Sequence, residues 1–292
     1  MTRKIAFQGE LGANSHEACL ANRPELEPAP YATFEDAFEA VKTGDCALAM
    51  IPVDNSIAGR VADVHHLLAS SGLRIVGEYF KPIHFQLMAN PGTAIENLKK
   101  VISMPFAAGQ CRRVLRRLGV SLEPAGDTAL SAKMLQRNPD PTRAAIAPAL
   151  AAELYGLSIL MRDIEDEAHN TTRFVVMSAD RHAPAPASEV ACVTSFTFRV
   201  RNISAALYKA LGGFATNGVN MTKLESYMEN GAFTATFFYA EVDGRPDDPP
   251  VALALEELNF FSDHVEVLGV FAADPFRLEA PVGPTSPPPP TP

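Results

Sequence analysis

The sequence predicts an α/β protein with a largely parallel, buried sheet, followed by a smaller βαββαβ domain. Short apolar runs alternate with helical patterns through the first 180 residues, which is typical of parallel sheets covered on both faces. The segment HAPAPASE (182–189) then alternates proline with alanine, as a stiff linker does. After it the order of elements becomes βαββαβ, which fits a ferredoxin-like sandwich.

The first region contains strand-like runs with helical patterns between many of them. The runs are KIAFQ (4–8), CALAMIPV (46–53), LRIVGEYF (73–80), FQLMA (85–89), KKVISM (99–104), RAAIAP (143–148) and RFVVM (173–177). Ligands of such sheets bind outside the carboxyl ends of the strands. Polar residues just after these runs, and sometimes just before them, are therefore the first candidates for a functional site.

The second region begins with a strand at 189–200 and a helix at 204–218, with Ser204 as a plausible N-cap. Two strands joined by an ENG hairpin turn, a helix at 249–261 and a strand at 264–271 complete the pattern. These elements contain no obvious nucleophile or base. The proline-rich end (280–292) cannot build a core, and we expect it to be disordered.

Composition narrows the class of protein. The chain has 292 residues, 47% of them hydrophobic, with a net charge of −9, which argues against a nucleic-acid or anionic-membrane surface. Its four scattered cysteines form no CxxC motif and are typical of reduced thiols. The amino terminus has no apolar leader-like run, so we expect a soluble, cytoplasmic protein.

The stretch FQGELGANSHEACL (7–20) passes from a strand through Gly9 and Gly12 into a helix that opens near Ser15. Glycines let the backbone approach a ligand closely, and the first turn of a helix offers unpaired N–H groups. This arrangement suits a phosphate or a carboxylate. A tight strand-to-helix turn with Ser15 as N-cap explains the same residues.

Two further stretches place polar residues after strands. In IPVDNSIAGR, Asp54, Asn55 and Ser56 follow an apolar run, although Asn and Asp also favour ordinary turns. In SMPFAAGQCRRVLRRLG, Gln110 falls on an apolar helical stripe near Ser103, at the end of a strand. A satisfied core glutamine is the alternative. The stripe consists of Ala107, Gln110, Cys111, Val114, Leu115 and Leu118.

The stretch AHNTTRFVVM (168–177) carries polar side chains into an apolar strand. Thr171 and Thr172 offer neutral hydroxyl donors, and Arg173 offers a fork for a carboxylate. A polar strand edge with Arg173 paired to a nearby acid is the alternative, but it does not explain two adjacent threonines. With no metal-ligand spacing, nucleophile elbow or phosphate loop in the sequence, these groups favour recognition of a small carboxylate.

Together these stretches resemble the prephenate dehydratase family. The family motif GxxGxxSH is similar to the segment from Gly9 to His16, and the motif PIENS…G is similar to PVDNSIAG (52–59). The motif SHPQA…QC is similar to SMPFAAGQC (103–111), and the motif NxTRF is similar to the segment from Asn170 to Phe174. The second region resembles an ACT domain, with AALY (205–208) and NMTKLESYM (220–228) at its motifs. The sequence departs from the family pattern at Asp54, Met104 and Tyr227–Met228.

The resemblance implies two α/β lobes like a periplasmic binding protein, with the site in the cleft, and then the ACT domain. The catalytic domain would span 1–181, with lobes at about 1–80 plus 170–181 and at 81–169. The linker would span 182–189, the ACT domain 190–275 and the disordered tail 276–292.

The resemblance also implies a reaction, the decarboxylation and dehydration of prephenate to phenylpyruvate in phenylalanine biosynthesis. This is a carbon–oxygen lyase reaction that needs no cofactor and no metal. Thr172 would donate to the departing hydroxyl. The other implied catalytic residues are Asn55, Ser103 and Gln110, and the implied substrate-binding residues are Ser15, Thr171, Arg173 and Phe174.

The ACT resemblance implies feedback by phenylalanine, bound where two such domains meet in a homodimer or homotetramer. The implied effector residues are Ala206, Leu207, Asn220, Glu225 and Ser226. We expect neither a nucleic-acid nor a membrane partner. Two alternatives remain at this point: an arogenate dehydratase, and a ligand sensor that kept the fold without catalysis.

Overall fold

A computed structural model describes residues 3–180, 186–201, 203–228 and 235–279. These residues form three sheets, each with its own helices. Among them, no helix is both long enough and apolar enough to cross a membrane. All four cysteines are buried and free.

The first lobe begins the chain and is built around a six-stranded sheet. Thr33 caps the second helix by accepting a hydrogen bond from the Asp36 N–H at 3.1 Å, and acidic residues fill its first turn. The elements are β1 (Lys4–Gln8), α1 (Asn14–Asn22), β2 (Glu27–Tyr31), α2 (Phe34–Lys42), β3 (Leu48–Asn55), β4 (Gly59–Arg60), α3 (Ala62–Ser70) and β5 (Arg74–Pro82).

The second lobe follows and contains a five-stranded sheet. Its strands are β6 (Gln86–Ala89), β7 (Lys100–Ser103), β8 (Ser121–Pro124), β9 (Arg143–Ala147) and β10 (Ser158–Met161). Its helices are α4 (Pro105–Gly109), α5 (Arg112–Leu118), α6 (Thr128–Arg137) and α7 (Ala149–Tyr155), with a short 3₁₀ turn at Ile95–Asn97.

The chain then returns to the first lobe as β11 (Thr171–Ser178), which lies antiparallel between β3 and β5. The first sheet therefore has the order β2-β1-β3-β11-β5, and the second β10-β6-β9-β7-β8. In each sheet one strand beside a crossing, β11 or β6, runs against its neighbours. The expectation of a largely parallel sheet is corrected to this extent: both sheets are mixed, because the chain enters and leaves the second lobe.

The third domain has the predicted βαββαβ order and a four-stranded antiparallel sheet, β13-β14-β12-β15. Its elements are β12 (Cys192–Val200), α8 (Ala206–Thr216), β13 (Met221–Met228), β14 (Ala235–Asp243), α9 (Pro249–Phe261) and β15 (Ser262–Ala272), followed by α10 (Pro275–Glu279).

Local predictions in this part of the chain need two corrections. The N-cap of α8 is Ala205, with a left-handed φ of 60° and no side-chain cap, and not Ser204. The expected tail does not begin at 276, because residues 276–279 belong to α10 and Arg277 is held by two buried carboxylates. The ENG turn, residues 181–185 of the linker region and the stretch 280–292 lie outside the described residues.

The third domain packs on the first lobe through a shared hydrophobic core. One face of its sheet packs under α8 and α9. From the other face, Tyr239 and Leu268 join the cluster that contains Val53 and Val175 of the first-lobe sheet. Gly269 lies in backbone contact with Ile75, where any Cβ would collide. The third domain is therefore seated on β5 and β11, the strands behind the inter-lobe cleft.

Candidate active site

A cavity of about 240 Å³ lies between the first and second lobes. The first lobe contributes Asn55 and Thr172 to its wall, and the second lobe contributes Gln110. Met104 and Phe106, 39% and 42% exposed, add apolar surface. The antiparallel direction of β11 explains why polar residues precede this strand: its amino end meets the carboxyl end of β3 at the same sheet edge.

Asn55 holds Thr172 across the two strands. The register pairs them directly, and Asn55 Nδ2 lies 3.0 Å from Thr172 Oγ1. The side-chain oxygen of Asn55 accepts the backbone N–H groups of Ile57 and Ala58 at 3.0 and 2.9 Å, so the amide nitrogen must face Thr172. Since Thr172 Oγ1 accepts this bond, its own proton points elsewhere and is available to a molecule in the cavity.

The same geometry fixes a relay of three amides. Asn55 Nδ2 donates to Asn170 Oδ1 at 2.8 Å, and Asn170 Nδ2 donates to Gln110 Oε1 at 2.8 Å. Gln110 Nε2 is then left as a buried donor without a partner in the described part of the chain. Buried donors are rarely left unpaired, and this one belongs to a residue that lines the cavity. The relay therefore supplies a second neutral donor beside Thr172.

Gln110 stands at a helix break. The predicted stripe is divided between two helices, because α4 ends at Gly109 and α5 begins at Arg112. Its apolar members still pack in one core, and Gln110 is buried beside them. Asp166 causes the break: its carboxylate accepts the N–H groups of Arg112 and Arg113 at 2.8 and 3.1 Å. Its own N–H donates to the Gln110 carbonyl at 2.6 Å. The crossing segment that leads back to β11 thus positions Gln110.

The amino end of α1 forms another part of the cavity wall. Asn14 and Ser15 line it, and no side chain caps this helix. Gly12, at φ 92°, brings the turn against the second lobe, where a Cβ would lie 2.9 Å from Ala151. His16 accepts the Gly12 N–H at 2.9 Å, and burial lowers the pKa of its imidazole. Free N–H groups and the helix dipole make this end suitable for a carboxylate.

Lys81 supports this helix end from behind. Its ammonium donates to Asn14 Oδ1 at 3.0 Å and pairs with Glu17 at 2.8 Å. Lys81 is buried, and nothing in the sequence pattern distinguished it from other strand lysines.

Asp127 is the one ionisable side chain among the described residues that line the cavity. It caps α6 by accepting the Leu130 N–H at 2.9 Å, and its second oxygen lies beside Gly9. Burial raises the pKa of this carboxyl group. Asp127 was missed from the sequence, since an N-cap aspartate before an apolar helix is common.

Three predicted site residues do not line the cavity. Successive side chains of a strand point to opposite faces, so Thr171 and Arg173 face away from the wall that carries Thr172 and Phe174. Arg173 binds Glu78 and Glu241 instead of a substrate carboxylate. Ser103 is fully buried, and its hydroxyl donates to the Ile146 carbonyl at 3.3 Å.

The same alternation identifies a residue that sequence reasoning left out of the site. Asn170 lies two residues before Thr172 and therefore points to the same face of the sheet as Thr172 and Phe174. It is 1% exposed and is hydrogen-bonded to Asn55 and Gln110. Counting in steps of two from Thr172 finds Asn170 and excludes both neighbours.

The expected effector residues do not converge within one chain. Ala206 and Leu207 start α8, whereas Glu225 faces the first lobe at 3.4 Å from Arg60. Ser226, its neighbour on β13, is exposed. Asn220 donates to Asp243 at 2.7 Å and lines a second cavity of about 680 Å³, between the third domain and α10.

One group of possible metal ligands lies at the crossing between lobes, formed by His84, Asp163 and Glu165. Its members already hold the crossing together. His84 Nδ1 lies 2.8 Å from Glu165, and Glu165 also accepts the Phe85 N–H at 2.9 Å. Asp163 accepts from Gln86 at 3.0 Å. None of these residues lines the cavity between the lobes.

The chain is similar to known proteins over most of its length. Residues 5–182 match the model for prephenate dehydratase. A bifunctional N-acyl-homoserine lactone acylase/prephenate dehydratase from Komagataeibacter europaeus is 47% identical, over 94% of this chain and 98% of that protein. Arogenate dehydratase/prephenate dehydratase 2 of Arabidopsis thaliana is 34% identical, over 94% of this chain and 74% of that protein.

Solved structures agree. A prephenate dehydratase from Arthrobacter aurescens, in complex with L-Phe, superposes with a TM-score of 0.84 at 30% identity. The match covers 92% of this chain and 90% of that one. A structure described as GqqA, a quorum-quenching acylase, superposes with a TM-score of 0.88 at 46% identity, over 94% and 100%. By sequence and by structure, this chain belongs to the prephenate dehydratase family.

Proposed function

We propose that the chain converts prephenate to phenylpyruvate. In this reaction the electrons of the ring–carboxylate bond move into the ring as CO₂ leaves. The ring aromatises, and the hydroxyl on the opposite ring carbon departs and takes a proton from solvent to become water. The protein must donate hydrogen bonds to the leaving hydroxyl and hold two carboxylates.

One observation carries this proposal: Asn55 fixes Thr172 so that its hydroxyl proton is free for the cavity. A threonine hydroxyl is a very weak acid, so we assign it charge-stabilising donation rather than full proton transfer. Such a donor contributes about 3 kcal/mol of transition-state stabilisation by analogy with oxyanion-hole donors. Gln110 Nε2 supplies a second donor, which orients the substrate in reactive geometry.

The carboxylates are assigned to the amino end of α1, with Ser15 and the adjacent N–H groups as donors. Lys81 stands behind Asn14 at 3.0 Å and, paired with Glu17, holds the Asn14 side chain in place. This assignment replaces Arg173, whose guanidinium is committed to two buried glutamates. Met104 and Phe106 offer exposed apolar surface for the ring, with Phe174 packed in the wall.

The experiment is to incubate the protein with prephenate and measure phenylpyruvate by its absorbance in alkali. Formation of phenylpyruvate well above the uncatalysed rate is expected. A rate equal to that of heat-denatured protein contradicts the proposal.

Asp127 makes arogenate a second candidate substrate. Arogenate carries an ammonium group where prephenate has a keto group, and Asp127 is the cavity's acid. A carboxylate attracts the ammonium group but repels the extra negative charge of prephenate. Parallel assays, phenylpyruvate from prephenate and phenylalanine from arogenate, decide between the two substrates.

The name of the Komagataeibacter relative includes an acylase activity. We carry that activity to this chain only as a further candidate, favoured by the apolar surface of Met104 and Phe106 at the cleft. Release of homoserine lactone from an N-acyl-homoserine lactone tests it. No release at the protein concentration that turns over prephenate contradicts it.

We also propose phenylalanine as an effector of the third domain, acting as an ACT domain. The L-Phe complex of the Arthrobacter relative supports this proposal. Because Ala206, Glu225 and Ser226 do not meet in one chain, the effector site would require a second copy, in a homodimer or homotetramer. Titration calorimetry with phenylalanine, together with light scattering, tests both parts. A monomer, or no binding at millimolar phenylalanine, contradicts them.

A further inference from the structure

A second cross-strand pair lies directly beside the first. The register of β3 and β11 pairs Arg173 with Asp54, next to the pairing of Thr172 with Asn55. Side chains alternate along a strand, so this second pair faces the third domain while the first faces the cavity. The two pairs are therefore adjacent on one stretch of the ladder.

Arg173 is held on that face by two carboxylates. Its Nε lies 2.8 Å from Glu78 Oε2, and its Nη2 lies 2.8 Å from Glu241 Oε1. Both glutamate side chains have no exposed surface, and Arg173 is 5% exposed. Glu78 belongs to β5 of the first lobe, whereas Glu241 belongs to β14 of the third domain. The bridge therefore joins the two units.

Arg277 completes a closed ring of charges. It lies 2.7 Å from Glu78 and 2.9 Å from Glu241, so two arginines neutralise two carboxylates. The Tyr239 hydroxyl donates a further bond to Glu241 at 2.5 Å. Buried ion pairs whose hydrogen-bonding groups are all paired have a defined geometry. Removing one partner leaves the others as buried charges without compensation.

A second tie reaches Asp54. Lys223 of β13 lies 2.6 Å from Asp54 Oδ1, and its side chain is 13% exposed. Both members of the outward-facing pair are thus bound by charged residues of the third domain.

We propose that the third domain holds the catalytic cross-strand pair in place, with Glu241 and Lys223 as positioning residues that act through Arg173 and Asp54. This inference rests on the proposed dehydratase function for its kinetic consequence, but its structural consequence is independent of activity. Small misplacements of a catalytic donor lower the rate of the chemical step more than they lower binding. A ligand that shifts the third domain would reach Thr172 by this route.

The test compares three variants of the full chain. Glu241→Gln and Lys223→Met each remove one tie, and Glu266→Gln is the matched control. Glu266 belongs to the same domain, and its side chain is 46% exposed. In the described part of the chain its one ion-pair partner is His264. Hydrogen exchange is measured at amides 56–58 and 171–174, and kcat and KM are measured with prephenate.

We expect both tie variants to exchange about fivefold faster at those amides, with amides 5–7 of β1 unchanged. We expect kcat to fall about tenfold while KM changes less than about twofold. The control should match the wild type in every measurement. Glu241→Gln strands a buried arginine, so if that variant does not fold, Lys223→Met decides alone.

Unchanged exchange and unchanged kcat in a folded tie variant overturn the proposal. Faster exchange throughout the first lobe also overturns it, because that pattern indicates general destabilisation rather than positioning. If the wild type makes no phenylpyruvate, the proposed function fails, and the exchange measurement still decides this inference.

Discussion

Asn55 Nδ2 lies 3.0 Å from Thr172 Oγ1, across two antiparallel strands whose register pairs the residues directly. The two backbone N–H groups that Asn55 accepts fix the direction of this bond. Thr172 Oγ1 is thus the acceptor of this bond and keeps its own proton, which we propose it donates into the cavity.

The amide relay predicts a reversal of polarity in Asn170→Asp. The new carboxylate can still accept from Asn55, but it cannot donate to Gln110 Oε1. The Gln110 amide should then turn and present its oxygen to the cavity. We expect kcat to fall about a hundredfold in a folded protein. Asn90→Asp is the control. The Asn90 side chain lies in the second lobe and donates to the Leu135 carbonyl, and its replacement should leave kcat unchanged. Equal kcat values for the two variants would remove the relay from the mechanism.

Asp127 predicts a pH-dependent KM for prephenate. Burial raises the pKa of this carboxyl group, so it stays neutral to a higher pH than an ordinary aspartate. As pH rises through that pKa, the new negative charge repels the dicarboxylate, and KM should rise about tenfold. Asp127→Asn preserves a good N-cap for α6 and should abolish the rise. Matching KM profiles for wild type and variant between pH 4 and 8 would show that Asp127 does not sense the substrate.

Glu241 predicts a specific loss of stability in acid. Burial by itself raises the pKa of Glu241, but Arg173 outweighs burial and the net pKa is lowered from 4.5 to about 2. A lowered carboxyl pKa stabilises the fold above the unfolded-state value, by about 3 kcal/mol here, and this contribution is lost as pH falls from 4.5 toward 2. The difference in free energy of unfolding between wild type and Glu241→Gln should therefore shrink as pH falls. Urea denaturation at pH 7, 4 and 3 measures it, and parallel pH curves for the two proteins would refute it.

Ala205 predicts a stabilising substitution. Its φ of 60° places an alanine in the left-handed region, which costs a residue with a Cβ about 1 kcal/mol. Ala205→Gly should raise the free energy of unfolding by up to about that amount. Ala252→Gly, on an exposed position inside α9, should lower it by about 0.5–1 kcal/mol. Thermal unfolding of both variants gives the two signs, and a loss of stability in Ala205→Gly would refute the assignment of strain.

Much of the architecture was predictable because apolar runs mark most of the strands, although β2, β8 and β10 were not among the predicted runs. The βαββαβ order of the third domain follows from hydrophobic periodicity, as does the placing of Asn55 and Gln110 near strand ends. The break between α4 and α5 was not predictable, since the carboxylate of Asp166, from far along the chain, caps the second helix. Tertiary capping of this kind leaves no local signal.

The residues of the site could be predicted only in part, because some of them depend on contacts between distant parts of the chain. Thr172, Asn55, Gln110, Ser15 and Phe174 line the cavity as expected. The prediction that Arg173 binds the substrate was wrong, because it did not apply strand alternation. Alternation turns the Arg173 side chain toward the third domain. The buried partner Glu241 lies on another domain, and no local pattern connects the two.

The role of Thr172 is tested by measuring kcat for prephenate in Thr172→Val and Thr172→Ser. Valine keeps the shape and strand preference of threonine but cannot donate, whereas serine keeps the hydroxyl. With folding verified by circular dichroism, we expect valine to lower kcat about a hundredfold or more and serine to stay within about tenfold of the wild type. A folded Thr172→Val protein with kcat within about threefold of the wild type would contradict this role.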